Sequence, residues 1–256
     1  NDLELEPEQD LSIDAAFADE NTSTASLVGV YSRAQDLEVF GGMLQTINEY
    51  QADNVEFIGS FPTLQEINNY VTVADNATVR SIWRDHYRVV LAANAVIEFV
   101  PGVDDSAFSA EERAQLIAEA KFLRAMTYLQ LVNMFAQPYT LDGGSSPGVP
   151  LVLEPFILQG EEVMPARNTV AEVYAQIETD LTEAIVDLPE SYGAPEFTRG
   201  RATVGAAEAL LSRVHLYQEE FDQVLTFTDN IIKKADLYGL APGYDFYDNN
   251  TSETIL

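Results

Sequence analysis

The chain has 256 residues, 46% hydrophobic and 10% aromatic, enough for one large or two modest packed domains and too apolar for a disordered polymer. Its 13 basic residues stand against 42 acidic ones, and the net charge of -29 opposes any favourable encounter with nucleic-acid phosphates or anionic lipid headgroups. With no cysteine, disulfides, thiolate metal sites and cysteine nucleophiles are excluded, and no apolar run approaches the length of a membrane span.

Residues 1–10, NDLELEPEQD, read as an extended acidic leader with neither the basic start nor the apolar centre of a targeting peptide. From Ser12 to Arg33 small and apolar residues (Ala15, Ala16, Leu27, Val28, Tyr31) recur with a helical rhythm, which predicts a helix or a helix pair. Residues 51–76 lose that period and gather Asn54, Phe57, Gly59, Phe61, Pro62, Asn68, Asn69 and Tyr70, the mixture of an irregular surface loop. Periodicity returns near Val79, where Trp83, Tyr87, Val90, Asn94 and Ile97 share a face and predict a helix to Val100, ended by Pro101 and Gly102.

Ser109 and Glu112 then form a Ser-x-x-Glu capping box at the start of a long helix. Leu116, Ala120, Leu123, Thr127, Leu131 and Met134 make its apolar stripe, widened by Ile117, Tyr128 and Phe135. Pro138 and the breaker cluster from Gly143 to Pro147 place its end near Gln137. An extended segment from Val149 to Leu158 follows, after which Asn168 is expected to cap a helix through Val170, Val173, Ile177, Leu181 and Ile185, stopped by Pro189. Thr203 starts a further helix through Ala206, Ala207, Leu210, Leu211, Val214 and Tyr217, and a short turn leads to a partner carrying Phe221, Val224, Leu225, Phe227, Ile231 and Ile232. This last pair, with small residues in its first helix, looks like a tetratricopeptide unit, and the helices from Val79 and Ala110 are candidates for another. The expected fold is mostly α: tetratricopeptide-like helix pairs forming a superhelical scaffold, with an irregular loop region at 51–76.

Chemistry-bearing patterns are sparse. His86 and His215 fall singly inside predicted helices, no carboxylate pair is marked, and neither a P-loop nor Gly-x-Gly-x-x-Gly occurs. The acidic stretch 245–253 lacks the spacing of a calcium loop. No catalytic residue, metal ligand or cofactor is therefore assigned. Glu119 and Arg124, set among apolar neighbours, are expected to find internal partners, and Trp83 to pack in the core. The aromatic and amide cluster of the aperiodic segment is different: Asn54, Phe57, Phe61, Asn68, Asn69 and Tyr70 are the candidate ligand-binding residues. Sugar rings present apolar C–H faces to aromatic rings, and their hydroxyls suit the paired donors and acceptors of amides. The alternative, that these aromatics staple the loop to its own scaffold, stays open.

Four stretches, WRDHYRVVLAANAVIE from Trp83, AEAKFLRAMTYLQLVNMF from Ala118, GVPLVLEP from Gly148 and GRATVGAAEALLSRVHLY from Gly200, resemble in this order the SusD/RagB family of outer-membrane nutrient-binding lipoproteins of the Bacteroidetes. The resemblance covers nearly the whole chain and implies one SusD-like N-terminal helical region over 1–256. It implies a continuation on the C-terminal side as well, since family members run well beyond the equivalent of Leu256. The implied function is non-enzymatic capture of a glycan at the surface of the outer membrane and its delivery to a SusC-like TonB-dependent transporter. Membrane attachment would come only through an N-terminal lipid anchor absent from this chain. The acidic balance favours a neutral glycan. Two other readings are a helical-repeat scaffold that binds a protein or peptide without sugar contact in this half, and a glycoside hydrolase, against which the lack of a marked carboxylate pair counts.

Overall fold

The computed structural model describes residues 12–155, 165–241, 243, 251 and 253–255. Caps set most helix starts. Ser12 accepts from the Ala15 N–H at the head of α1 (Ile13–Ala16), and Asp19 and Thr22 cap α2 (Glu20–Ala34) reciprocally, so the first predicted helix is a pair. α3 (Met43–Gln51) and α4 (Pro62–Asn68) follow. The aperiodic segment is thus not one loop, a correction to the sequence reading. α4 is too short to show a period, and its signals are a proline in the first turn and apolar Leu64 and Ile67 three residues apart.

α5 (Ala77–Phe99) starts at Asn76 and runs into a 3-10 turn at Val100–Gly102. α6 (Ala110–Phe135) carries the predicted Ser109/Glu112 box. α7 (Val170–Asp187) is capped by Thr169 with Glu172 rather than by Asn168, whose side-chain oxygen instead accepts from the Leu151 N–H at 2.9 Å. The order ends with α8 (Pro195–Gly200), for which the sequence carried no periodic signal, α9 (Val204–Tyr217), capped by Thr203 as expected, and α10 (Phe221–Ile232). Among the described residues there is no strand, only an isolated bridge between Pro147 and Thr169. None of their helices is long and apolar enough to cross a membrane. The acidic leader, residues 156–158 of the predicted extended segment and most of 245–253 lie outside the described residues.

α6 is the axis of the molecule. It packs against α2, α5, α7 and α9, and α9 pairs with α10, so the expected helix pairs are present in a mostly helical, tetratricopeptide-like scaffold. Surrounded in this way, α6 buries far more than one stripe: Ala118, Phe122, Ala125, Leu129 and Val132 are buried as well as Leu116, Ala120, Leu123, Thr127, Tyr128 and Leu131. Two of its charges go inside with them. Arg124 meets Asp180 of α7 through two bonds, Nε to Oδ2 at 2.8 Å and an amino nitrogen to Oδ1 at 2.6 Å, while its other amino group donates to Asn94 Oδ1 at 2.8 Å. Glu119, fully buried, accepts from Arg201 and from the Tyr31 hydroxyl at 2.7 Å. The expected internal pairing of both residues is what the packing shows.

The segment after the glycine-rich loop is strapped across α5 and α6. Tyr87 donates to the Pro150 carbonyl at 2.7 Å, Asn94 to those of Val152 and Glu154 at 2.9 and 2.8 Å, and the Tyr128 hydroxyl both donates to the Val152 carbonyl and accepts from its N–H. Burial pushes the Tyr128 phenol up to about 12. The loop itself is anchored under the start of α7: Gly144 sits at φ 77, where a β-carbon would meet the Ala171 backbone, and its carbonyl accepts from the Ala171 N–H at 2.9 Å.

A second, smaller core holds α3 and α4 to this scaffold. Leu44, Ile47, Ile67 and Ile82 form it, with Phe40, Met43, Leu64, Val79, Met134 and Phe135 packed around. Asn76, nearly fully buried, clamps it: its oxygen caps α5 through Thr78 and Val79, and its amide donates to the Thr63 carbonyl at 2.9 Å and to Glu66 Oε2 at 2.7 Å. The α3–α4 unit is therefore a flank, docked on the head of α5 and the tail of α6.

Candidate functional site

Four of the six predicted binding residues meet at one depression on this flank. Asn54, Asn68, Asn69 and Tyr70, with Asp53, Val55 and Glu56, line an open hollow of about 550 Å³. Phe57 and Phe61 are not among its lining residues. Phe57 is half-buried, with its ring edge-on to Tyr50 at a centroid distance of 5.8 Å, while Phe61 precedes α4 and is 68% exposed.

The amides are partly engaged by the flank itself. Asn68 accepts from the Phe57 N–H at 3.0 Å and donates to Asn69 Oδ1 at 3.3 Å, and Asn54 donates to Glu49 Oε2 at 2.9 Å. Tyr70 is 63% exposed, and its hydroxyl donates to the Gln51 carbonyl at 2.8 Å. Both Asp53 and Tyr70 are left-handed, at φ 58 and 57, as the residues that follow the caps of α3 and α4. Glycine avoids that penalty, so neither the backbone nor burial at position 70 calls for an aromatic ring. The hollow is lined by two carboxylates, Asp53 and Glu56, and by no cation.

A larger cleft of about 870 Å³ lies between α3, the tail of α6, the Pro138–Thr140 turn, α7 and the end of α9, and Ile67 of α4 also lines it. Its walls carry Phe135, Tyr139, Tyr174 and Tyr217, the amides Asn48, Gln51, Gln130, Asn133 and Gln137, and Arg213. Tyr139 and Tyr174 pack with ring centroids 5.1 Å apart, and the Tyr174 hydroxyl donates to Asn133 Oδ1 at 3.2 Å. Burial, together with the nearby Tyr217 and Tyr139 hydroxyls, pushes the Tyr174 phenol up. Sequence reasoning missed this cleft. Its residues come from five separated stretches, and only the proline break at Gln137–Pro138 hints that the end of α6 is left open.

The histidines take structural places. Buried His86 holds the Ile82 carbonyl through Nδ1 at 2.8 Å, and its Nε2 has no partner among the described residues. His215 Nδ1 meets Glu220 Oε2 at 2.8 Å while its ring stacks on Phe227. Trp83 lies between Tyr87 and Phe135, at centroid distances of 5.0 and 4.9 Å, as core packing requires. Among the described residues, no group of three or more His, Asp or Glu is placed to hold a metal ion.

Comparison with known proteins agrees with this architecture. Among curated relatives, SusD-like protein P25 of Formosa agariphila is 27% identical over 241 residues, covering 91% of this chain and 43% of its own length. Its P2 counterpart from the same organism is 25% identical, with 96% and 46% covered. The chain thus spans less than half the length of these relatives. A laminarin-binding SusD-like protein superposes with a TM-score of 0.76 at 28% identity, over 94% of this chain and 51% of that one. A SusD superfamily protein from Bacteroides thetaiotaomicron superposes with 0.77 at 25% identity, over 90% and 49%. The SusD-like family model described as "starch-binding associating with outer membrane" matches residues 3–216. The strapped segment, the buried α6 and all but the last residue of the small-residue α9 fall within that match, and the chain belongs to the SusD-like family.

Proposed function

We propose that this chain is the glycan-capturing helical part of a non-catalytic cell-surface protein, tethered to the outer membrane, that passes oligosaccharide to a SusC-like TonB-dependent transporter. The observation that carries the reading is an exposed ring face: Tyr70, left-handed and open to solvent although its hydroxyl is tied to the Gln51 carbonyl, at a hollow furnished with Asn54, Asn68 and Asn69. Phe61, more exposed still, offers a second ring face on the same flank. Membership in a family described as starch-binding, and the likeness to a laminarin-binding protein, support a carbohydrate ligand. Asp53 and Glu56 at the hollow, on a chain of net charge -29, favour a neutral glycan over a polyanionic one.

Ring stacking on Tyr70 and Phe61 would supply the apolar contact, with hydrogen bonds from the amides fixing the sugar's orientation. The test is affinity electrophoresis and titration calorimetry of the chain against laminarin, starch, xylan and pectin. Retardation by a neutral glucan, weakened by Phe61→Ala and Tyr70→Ala, is the expected result, and indifference to every polysaccharide sinks the assignment.

A second reading has its own observation. Val55, Ile58, Val71 and Val73 are exposed around the same flank, Ile58 at 91%, and aliphatic side chains suit a protein surface better than a sugar. On that reading the flank binds a protein or peptide partner, the transporter included, without sugar contact. Pull-down of the transporter abolished by Ile58→Asp, with glycan retardation unchanged, favours it.

A further inference from the structure

We infer that the cleft between the α3–α4 unit and the tail of α6 is a second oligosaccharide-binding site, distinct from the hollow at Tyr70. The two differ in the state of their polar groups. At the hollow, Asn54 and Asn68 are hydrogen-bonded within the flank. In the cleft, the side-chain amides of Asn48, Gln51, Gln130 and Gln137 make no hydrogen bond to any described residue, although all four line the same cavity. Each amide brings two donors and a two-lone-pair acceptor, so together they present the mixed array that vicinal hydroxyls need.

Ring faces stand beside them. Tyr217 is 41% exposed, and Tyr139, held against Tyr174, is fixed by the turn that ends α6. A rigid aromatic wall next to unengaged amides is what an apolar sugar face and its hydroxyl rim require together. The volume, about 870 Å³, lies within the range of small-molecule sites and accommodates several sugar rings. Arg213, without an ion pair or hydrogen bond to the described residues, lines the cleft together with Glu219, so the cleft has both a cation and a carboxylate where the hollow has carboxylates alone. The cleft therefore accepts a neutral or a singly acidic sugar, a wider range than the hollow. Because both concavities draw lining residues from the α3–α4 unit, Gln51 and Ile67 for the cleft and Asn68 to Tyr70 for the hollow, a longer oligosaccharide gains from occupying both.

The ligand class rests on the glycan-capture reading, and the experiment separates the two. Affinity electrophoresis of the full chain is run in laminarin, starch, xylan and pectin with three variants: the hollow pair Asn69→Ala/Tyr70→Ala, the cleft pair Gln137→Ala/Tyr217→Ala, and all four together. The cleft residues chosen are exposed, and an unchanged thermal melt confirms that each variant is folded. The expected result is binding weakened roughly tenfold by the cleft pair and abolished only by the four changes together. A cleft pair that binds like the parent, alongside a hollow pair that does not bind, overturns the cleft and leaves the hollow standing. Loss through the cleft pair alone, with the hollow pair unaffected, supports the cleft and removes the hollow. A parent chain that no polysaccharide retards overturns both.

Discussion

The centre of the molecule and its α3–α4 flank use the same kinds of side chain to opposite ends. Around α6, Arg124, Glu119, Asn94, Tyr87 and Tyr128 each find partners on other elements, so their polarity is consumed in holding helices and the 150–154 strap in register. On the flank Phe61 and Tyr70 lie open, and the small core beneath them rests on four fully buried residues. The family motifs lie in the first region. A motif can therefore identify a fold family chiefly through its packing, although the ends of two motifs, at 130–135 and 213–217, reach the wall of the cleft, and binding is better sought where ring faces stay open.

Substitutions at the centre should break stability and leave binding chemistry alone. Arg124→Ala strands Asp180 in the interior and is expected to cost about 3–5 kcal/mol in chemical denaturation, whereas Arg124→Leu with Asp180→Leu recovers most of that loss. If the single change costs no more than a surface substitution, the pair is not the brace described. Asn76→Ala sits between the regions: it uncaps α5 and frees α4, with an expected cost of about 1–3 kcal/mol and, unlike the first variant, a parallel loss of glycan affinity in the folded protein.

A pH series sharpens the contrast further. Burial holds the His86 imidazole below its ordinary range, and the only ring nitrogen left to take a proton, Nε2, faces no acceptor among the described residues. The folded state therefore binds fewer protons than the unfolded chain just below the ordinary histidine value. Stability is complete above about pH 6.5 and falls as pH drops, by at most about 1.4 kcal/mol per unit, until the folded-state value is passed. Melting curves from pH 7.5 to 5 should show the decline, and His86→Leu should remove this component of it. The smallest expected effect on stability is at the flank: Phe61→Ala should stay within about 0.5 kcal/mol of the parent while weakening glycan binding, the reverse of the result at Arg124.

Much of the fold was legible in one dimension. The Ser109/Glu112 box, the Thr203 cap, the stripes of α5 and α7 and the internal pairing of Glu119 and Arg124 follow from local chemistry, because a cap acts over three residues and a helical face repeats every turn. Legibility failed where these ranges were too short or too long. α4 has fewer than two full turns, so its period never accumulates, and the shift of the α7 cap from Asn168 to Thr169 turns on a contact with Leu151, seventeen positions away. At the candidate site the residue types of the hollow could be picked out, since aromatics off any helical stripe stand out from core. That Phe57 turns inward to Tyr50 while Tyr70 stays open could not.

By itself, then, the sequence determined an acidic, cysteine-free helical scaffold of the SusD-like family, with the starts of α6 and α9 and the segment where function is sought. Tertiary structure alone decided that α6 is buried on nearly every face, that the GVPLVLEP segment is a strap, and that Asn48, Gln137, Tyr139 and Tyr217 line one cleft. The reason is physical: periodicity reports which side of a helix is apolar, whereas the number of neighbours that cover it, and the gap left between them, depend on contacts between residues far apart in the chain.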